Sequence, residues 1–317
     1  MFEALSRGLA TLRLHKKSIL LPYLANVLMG LTLAVPFAFH FQAMLGESAY
    51  QERMLGSMDF VWMEWFRHHD GGLGSTFGPT LLGIAPFLHH LELIITGELH
   101  RLPVLILTVG ALYLVLQSFM TAAILGSLAN DPRGTTVREF LRNGSEFFGR
   151  ILRVRILSLS VLGVGIWLIG LPLGERAVLL ALTAPTDRRA FLIAVGFQGA
   201  FLAVILGLKL ISDYAKITVV HQDRSSVFLG YVSALSFCLS NYLPAAGLYL
   251  CMIVAGVLWA CLHVGLDSLI PQASALGILS GLLLQQAYMG GRLALRACFL
   301  SSQTHFFLQR ERRSRPE

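Results

Sequence analysis

Long apolar segments separated by short polar stretches make up most of this chain of 317 residues. About 20 consecutive apolar residues are enough to cross the hydrocarbon core of a bilayer as a helix. Read for hydropathy in windows of about 19 residues, the sequence predicts six such helices. They cover residues 18–41, 102–128, 156–173, 191–211, 242–266 and 275–300. The pattern predicts an all-α membrane protein with one polytopic domain over residues 1–317.

A further apolar segment, residues 77–99, is poorly suited to a helix surrounded by lipid. It contains Pro79 and Pro86, and it carries ionisable side chains that are costly within hydrocarbon. We expect this segment to form a re-entrant or interfacial helix on the outer side of the membrane.

The polar stretches after the second and fourth predicted spans follow a common design. Thr136 and Glu139 match the T-x-x-E capping box, which predicts a helix beginning near Val137. Ser225 or Ser226 would cap a second helix in the same way. Because the spans before the two caps are separated by almost the same distance as the caps, we predict a duplicated hairpin of span, elbow helix and span. The two copies cover residues 102–173 and 191–266.

The first predicted elbow helix is amphipathic, with apolar residues on one face and arginines on the other. The apolar positions are Val137, Phe140, Leu141, Phe147, Phe148, Ile151 and Leu152. An amphipathic helix with a basic polar face binds bilayer surfaces. We therefore expect this elbow to lie in the membrane interface.

Composition agrees with the predicted spans. Hydrophobic residues make up 55% of the chain and charged residues 14%, and the mean hydropathy is +0.66. This is too apolar for a soluble domain, whose surface must be largely polar. The four cysteines are dispersed in apolar segments without metal-site spacing. No cofactor is predicted.

The basic residues are distributed unevenly between the predicted loops. With the N-terminus inside, the cytoplasmic segments contain 19 of the 25 lysines and arginines. The positive-inside rule therefore predicts cytoplasmic N- and C-termini. Basic residues on that side attract anionic headgroups of the inner leaflet, so membrane lipids are the expected partners. The net charge of +7 therefore does not require nucleic-acid binding as an explanation. Residues 302–317 are expected to form a short basic tail, in which QRERRSRPE, residues 309–317, is disordered.

Three stretches together carry a resemblance to known proteins. They are REFLRNGSEFFGRILR, DYAKITVVHQDRSSVFLGYVSALSF and QQAYMGGRLALRACFLSSQTHFF. This succession resembles a group of uncharacterised bacterial multi-pass inner-membrane proteins. It is similar, more loosely, to the membrane domain of glycerophosphoryl diester phosphodiesterases. The resemblance implies a six-span fold in a bacterial inner membrane and no established activity, because the soluble catalytic barrel of the phosphodiesterases has no counterpart here.

The outer segment at residues 77–99 contains the first candidate ligand site, at His89, His90 and Glu92. A metal ion requires three or four converging ligands, and His89 and Glu92, three positions apart on one helix, would supply two. Interfacial histidines with a polar tip are also common near bilayer surfaces without any ligand. The cluster is therefore a weak candidate for a metal or ligand pocket.

The last predicted span contains the second candidate ligand site, which also includes Asp213 at the inner end of the fourth span. Its polar residues are Gln285, Gln286, Arg292 and Arg296. Polar residues inside a membrane are functional hypotheses by default. In the structural alternative, the arginines extend to the inner-leaflet phosphates or pair with Asp213. Recognition of an anionic lipid headgroup is the functional alternative.

Three functions fit these observations. The first is a non-enzymatic structural, assembly or accessory subunit of a membrane complex, with a protein partner. The second is a transporter or lipid-handling protein, which the parallel repeat and the proline-broken segment favour. The third is a metal- or haem-dependent membrane enzyme that uses the outer His and Glu side chains.

Overall fold

The computed structural model of the chain describes residues 2–14, 17–46, 59–69, 93, 102–130, 136–223, 226–271 and 274–314. All regular structure within these ranges is helical. The helices are α1 (Phe2–Leu14), α2 (Lys17–Leu45), α3 (Phe60–His69), α4 (Val104–Asn130), α5 (Val137–Gly165), α6 (Leu171–Leu182), α7 (Asp187–His221), α8 (Val227–Ser240), α9 (Tyr242–Asp267) and α10 (Ala275–Ser314). A π-helical turn, Ile166–Gly170, joins α5 to α6.

The length and composition of these helices confirm an all-α membrane protein. Five stretches within the described residues are long and apolar enough to cross a bilayer: Ile19–Leu45, Val104–Ala129, Val137–Leu182, Asp187–His221 and Tyr242–Asp267. The sixth predicted span lies in α10, which is helical but contains Gln and Arg side chains that lower its hydropathy. Its membrane crossing stays a prediction. The segment at 77–99 lies outside the described residues, except for Leu93.

The first hairpin begins its second helix at the predicted cap. Glu139 N donates to Thr136 Oγ1 at 3.3 Å, and Thr136 N donates to Glu139 Oε2 at 2.7 Å, so the capping box is confirmed. The helix then continues through the π turn into α6. Pro172 lacks an N–H and its ring would collide with the carbonyl of residue 168 in a regular helix, so the π turn accommodates it. The elbow and the span are therefore one helix.

The second hairpin separates its elbow from its span. Ser226 caps α8 by accepting a hydrogen bond from Leu229 N at 3.5 Å. The helix ends at Ser240, and α9 begins at Tyr242 after the single turn residue Asn241. Pro244 explains the break, because in a continuous helix its ring would collide with the carbonyl of Ser240, whereas a proline is tolerated in the first turn of a new helix.

The chain divides into two compact units, and the predicted single domain stays a prediction. The first unit comprises Met1–Leu20, Ser118–Leu258 and Gly291–Glu317, and the second comprises Leu21–Gln117 and Trp259–Gly290. The second unit contains a small cluster of α3 side chains, Trp62, Met63 and Phe66, that packs on the end of α2. Its rings stack, with Trp62 and Phe66 centroids 5.2 Å apart.

The first unit has a core built from the ends of its helices. In α7 the buried residues begin only at Leu210, and in α6 none is buried. One prediction fails here. Residues 309–314 are helical rather than disordered, because they continue a helix in which Phe306 and Phe307 are buried in this core. The interface position of the first elbow stays a prediction, and on its apolar face Phe140 and Ile151 are fully buried by protein.

Candidate functional site

A cluster of three charged side chains lies at the end of α7, in the first unit. Asp213 Oδ1 accepts hydrogen bonds from Lys209 Nζ at 2.8 Å and from Lys216 Nζ at 2.7 Å. Lys209 Nζ also lies 3.1 Å from Asp213 Oδ2. The Asp213 and Lys216 side chains are each 6% exposed, whereas that of Lys209 is 52% exposed. One carboxylate therefore joins a buried ammonium to a half-exposed one.

The helix positions these three side chains directly. Residues three or four apart lie on one face of a helix, so Asp213 contacts Lys209 four positions before it and Lys216 three positions after it. From the sequence, only arginines of the last span are predicted as partners of Asp213. The K-x-x-x-D and D-x-x-K spacings of Lys209 and Lys216 would have identified both lysines.

The neighbouring helix α5 extends the polar cluster. Ser158 Oγ on α5 and Ser212 Oγ on α7 are 2.7 Å apart. The two helices run antiparallel, so Arg155, one turn before Ser158, lies opposite Lys216, one turn after Ser212. The like charges of Arg155 and Lys216 repel each other. Arg155 therefore supplies no counter-charge for Lys216.

The turn after α7 is fixed by side chains from two other helices. Asp223 accepts a hydrogen bond from Arg150 of α5 in an exposed ion pair. Gln222 Nε2 donates to Glu311 Oε1 of α10 at 3.0 Å. These contacts tie the turn between the fourth span and the second elbow to both the first elbow and the C-terminal helix. Sequence reading had treated this stretch only as a polar turn.

The same core contains buried polar atoms to which the surrounding side chains that the structure describes provide no hydrogen bond. Within the described part of the chain, Tyr214 Oη, Thr218 Oγ1 and both side-chain amide atoms of Gln303 have no hydrogen-bond partner. Gln303 is fully buried, and the Tyr214 ring lies 6.5 Å from that of Phe306. Such groups are normally satisfied by protein or by water. They make this core more polar than hydrophobic packing requires.

The second unit contains a separate polar network inside its predicted spans. Tyr23 Oη donates to Gln286 Oε1 at 2.9 Å, which gives this predicted site residue a partner. Asn26 Oδ1 accepts hydrogen bonds from Tyr113 Oη at 2.9 Å and from Gln117 Nε2 at 3.2 Å. These bonds join α2 to α10 and α4. They satisfy polar groups that would otherwise be costly in hydrocarbon.

The other predicted site residues of α10 are divided between the two units, and the ligand site predicted from them stays a prediction. Gln285 and Arg292 are exposed on α10, and Arg296 Nη2 lies 3.4 Å from Thr121 Oγ1. The candidate metal residues, His89, His90 and Glu92, lie outside the described residues. Within the residues that the structure describes, no group of three His, Cys, Asp or Glu side chains is arranged for a metal ion.

Comparisons of the chain with protein-family models, with curated proteins and with solved structures find no match. The function therefore has to be argued from the residues of this chain.

Proposed function

We propose that this chain is a non-enzymatic accessory or assembly protein of a bacterial inner membrane, with both termini and the core of the first unit on the cytoplasmic side. The observation that supports this proposal is the difference in burial between the two parts of α7. Its first part exposes apolar side chains, and its last part, from Leu210 to Val220, is almost entirely buried in a helical core. The spans act as anchors, and the core presents a surface.

That surface includes the basic face of α5, which supplies the contact for a protein partner. Arg138 and Arg142 are exposed there, while Phe140 on the opposite face is fully buried. Exposed charges at an interface fix the register and the rate of association more than they add affinity. An acidic surface on the partner subunit would match this face.

Orientation can be tested by labelling with a membrane-impermeant maleimide. Cysteines would be introduced at two exposed arginines, Arg312 on α10 and Arg188 at the start of α7. We expect additional labelling of Arg312→Cys in inverted vesicles only, and of Arg188→Cys in right-side-out vesicles only. The reverse pattern would contradict the proposed orientation.

The accessory role can be tested by purification from native membranes in mild detergent. We expect one stoichiometric partner protein to remain bound to the wild type and to be lost from Arg142→Glu. The matched control is Arg188→Glu, which carries the same charge reversal at the other end of the membrane-spanning helices. Equal recovery of all proteins with Arg142→Glu and the control would contradict the proposal.

A transporter or lipid-handling protein is the second candidate function, and one observation favours it. Asn26, Tyr113 and Gln117 form a hydrogen-bonded polar network within predicted spans. Membrane-embedded polar groups mark substrate pathways in many transporters. A structure of the protein in lipid would test this candidate, which requires a polar cavity or a lipid-sized groove beside that network.

A further inference from the structure

The Lys209, Asp213 and Lys216 cluster holds more positive than negative charge. Asp213 is the single acceptor that the described residues provide for the two ammonium groups. An ammonium that is removed from water without a full counter-charge is poorly solvated and therefore costly. An anion beside the cluster would balance this charge.

The position of Lys209 indicates where that anion comes from. No residue of α7 before Leu210 is buried, and nearly every residue from there to Val220 is. Residues 187–209 rise about 35 Å at about 1.5 Å per residue, which is close to the thickness of a bilayer core of about 30 Å. The Lys209 ammonium, at the end of this exposed stretch, is therefore at the depth of the lipid headgroups.

We propose that this cluster binds the phosphate group of an anionic phospholipid, with Lys209 in direct contact and with Asp213 and Lys216 positioning its ammonium. The proposal rests on the proposed function, since it names the lipid partner of the same membrane-anchored unit. Charge-assisted hydrogen bonds from an ammonium suit a phosphate oxygen. A zwitterionic lipid fits less well, because the cluster repels its cationic group.

The purified full chain can be tested in nanodiscs of phosphatidylcholine alone and of an equal mixture with phosphatidylglycerol. Native mass spectrometry would measure retained phosphatidylglycerol, and thermal unfolding would measure the stabilisation that it provides. We expect Lys209→Gln to weaken phosphatidylglycerol binding at least about tenfold, because it removes a charge-assisted contact. Arg189→Gln, the same charge change at an exposed position at the other end of α7, is the matched control and should bind as the wild type does.

Two further arms keep the proposal open to refutation. Lys209→Arg retains the charge and should retain binding, so a loss as large as that of Lys209→Gln would assign the effect to packing and overturn the proposal. Inorganic phosphate added to phosphatidylcholine nanodiscs should not reproduce the stabilisation, and an equal effect through Lys209 would assign the site to a free anion instead. Equal binding by the wild type and Lys209→Gln would also overturn it. Nanodiscs expose both leaflets and contain no partner protein, so these results do not depend on the proposed orientation or partner.

Discussion

The two hairpins have the same order of span, capped elbow and span, but their elbows meet different surroundings. In the first hairpin, α5 buries Phe140 and Ile151 and exposes basic residues such as Arg142. In the second, α8 buries small residues, Gly230, Ala234 and Cys238, and a Cβ added at Gly230 would lie 2.6 Å from Val219 Cγ2 of α7. The same capping chemistry therefore begins two different helices. The helix α5 covers a protein core, whereas α8 has an apolar outer face.

The outer face of α8 shows this difference most clearly. Its large apolar side chains, Phe228, Leu229, Val232, Leu235 and Leu239, are exposed, and the sequence of α8 contains no charged residue. A helix that is apolar on both faces is stable only when both are removed from water. The second elbow therefore requires protein or hydrocarbon on both faces, whereas the interface position predicted for the first elbow depends on the basic face of that elbow.

The span ends that support the elbows also differ. The position of α4 that lies 90 residues before Asp213 is Ala123, which is fully buried. The first hairpin is packed there by small side chains, and the second by a buried ion pair. Close packing and buried charge respond differently to substitution, which allows the comparison to be tested.

The largest effect is expected from Asp213→Asn, which leaves the buried Lys216 without its counter-charge. Removing one partner of a buried ion pair costs about 3–5 kcal/mol. We expect a corresponding loss of thermal stability in detergent, measured by intrinsic fluorescence. The double variant Asp213→Ala with Lys216→Met removes both charges and should recover much of that loss. Unchanged stability of Asp213→Asn would contradict the ion pair's role.

The stability of the first hairpin should depend instead on side-chain volume at its close helix contacts. A Cβ added at Gly144 would lie 2.7 Å from Phe119 Cζ, and Gly144→Ala is expected to cost about 1–3 kcal/mol. Gly149 on the same helix is a matched control, since its added Cβ would meet only Arg153 Nη2 at 4.0 Å. Gly149→Ala should stabilise the helix by up to about 1 kcal/mol. Equal effects of the two variants on unfolding would show that the α4–α5 contact is loose.

The caps are expected to have smaller and unequal effects. Thr136→Ala removes one half of a reciprocal capping box, at a cost of about 1 kcal/mol. Ser226→Ala removes a single longer bond of 3.5 Å and should cost less. Helix content by circular dichroism and the unfolding midpoint would measure both. A greater loss from the Ser226 variant would reverse this ranking.

The smallest effect is expected where the two hairpins meet, at the ion pair of Arg150 and Asp223. The Asp223 side chain is 79% exposed, and exposed pairs contribute roughly 0–1 kcal/mol. Asp223 has a φ of 48°, which Asn tolerates, so Asp223→Asn tests the charge alone. We expect a small loss of stability that disappears at high salt. A salt-independent loss would indicate a role in packing.

Sequence reading predicted the features that depend on local chemistry. The cap at Thr136 follows from a hydroxyl residue placed before an apolar helix, and the second cap, predicted at Ser225 or Ser226, is Ser226. Five spans follow from hydropathy. The core of the first unit was missed because Ser301, Gln303 and Thr304 read as surface residues, although all three are buried. Only tertiary contacts can show that a polar helix end is covered by neighbouring helices.

The candidate site was predicted only in part, because only part of it depends on local sequence. Asp213 is named from the sequence as a site residue, and a spacing of four residues is enough to bring Lys209 into contact with it. The relation of Ser158 to Ser212 depends on how α5 packs against α7, which no local pattern specifies. The metal candidate at His89 and Glu92 stays a prediction.

The contact between α1 and α10 has a consequence for synthesis. A Cβ added at Gly8 would lie 2.1 Å from Ser302 Oγ, so the two helices approach each other closely there. These positions are 294 residues apart. At roughly 5–20 residues per second, a ribosome needs about 15–60 s to make the intervening chain. During that time α1 lacks the helix against which it packs. The contact between Gly8 and Ser302 can therefore form only after α10 has been made.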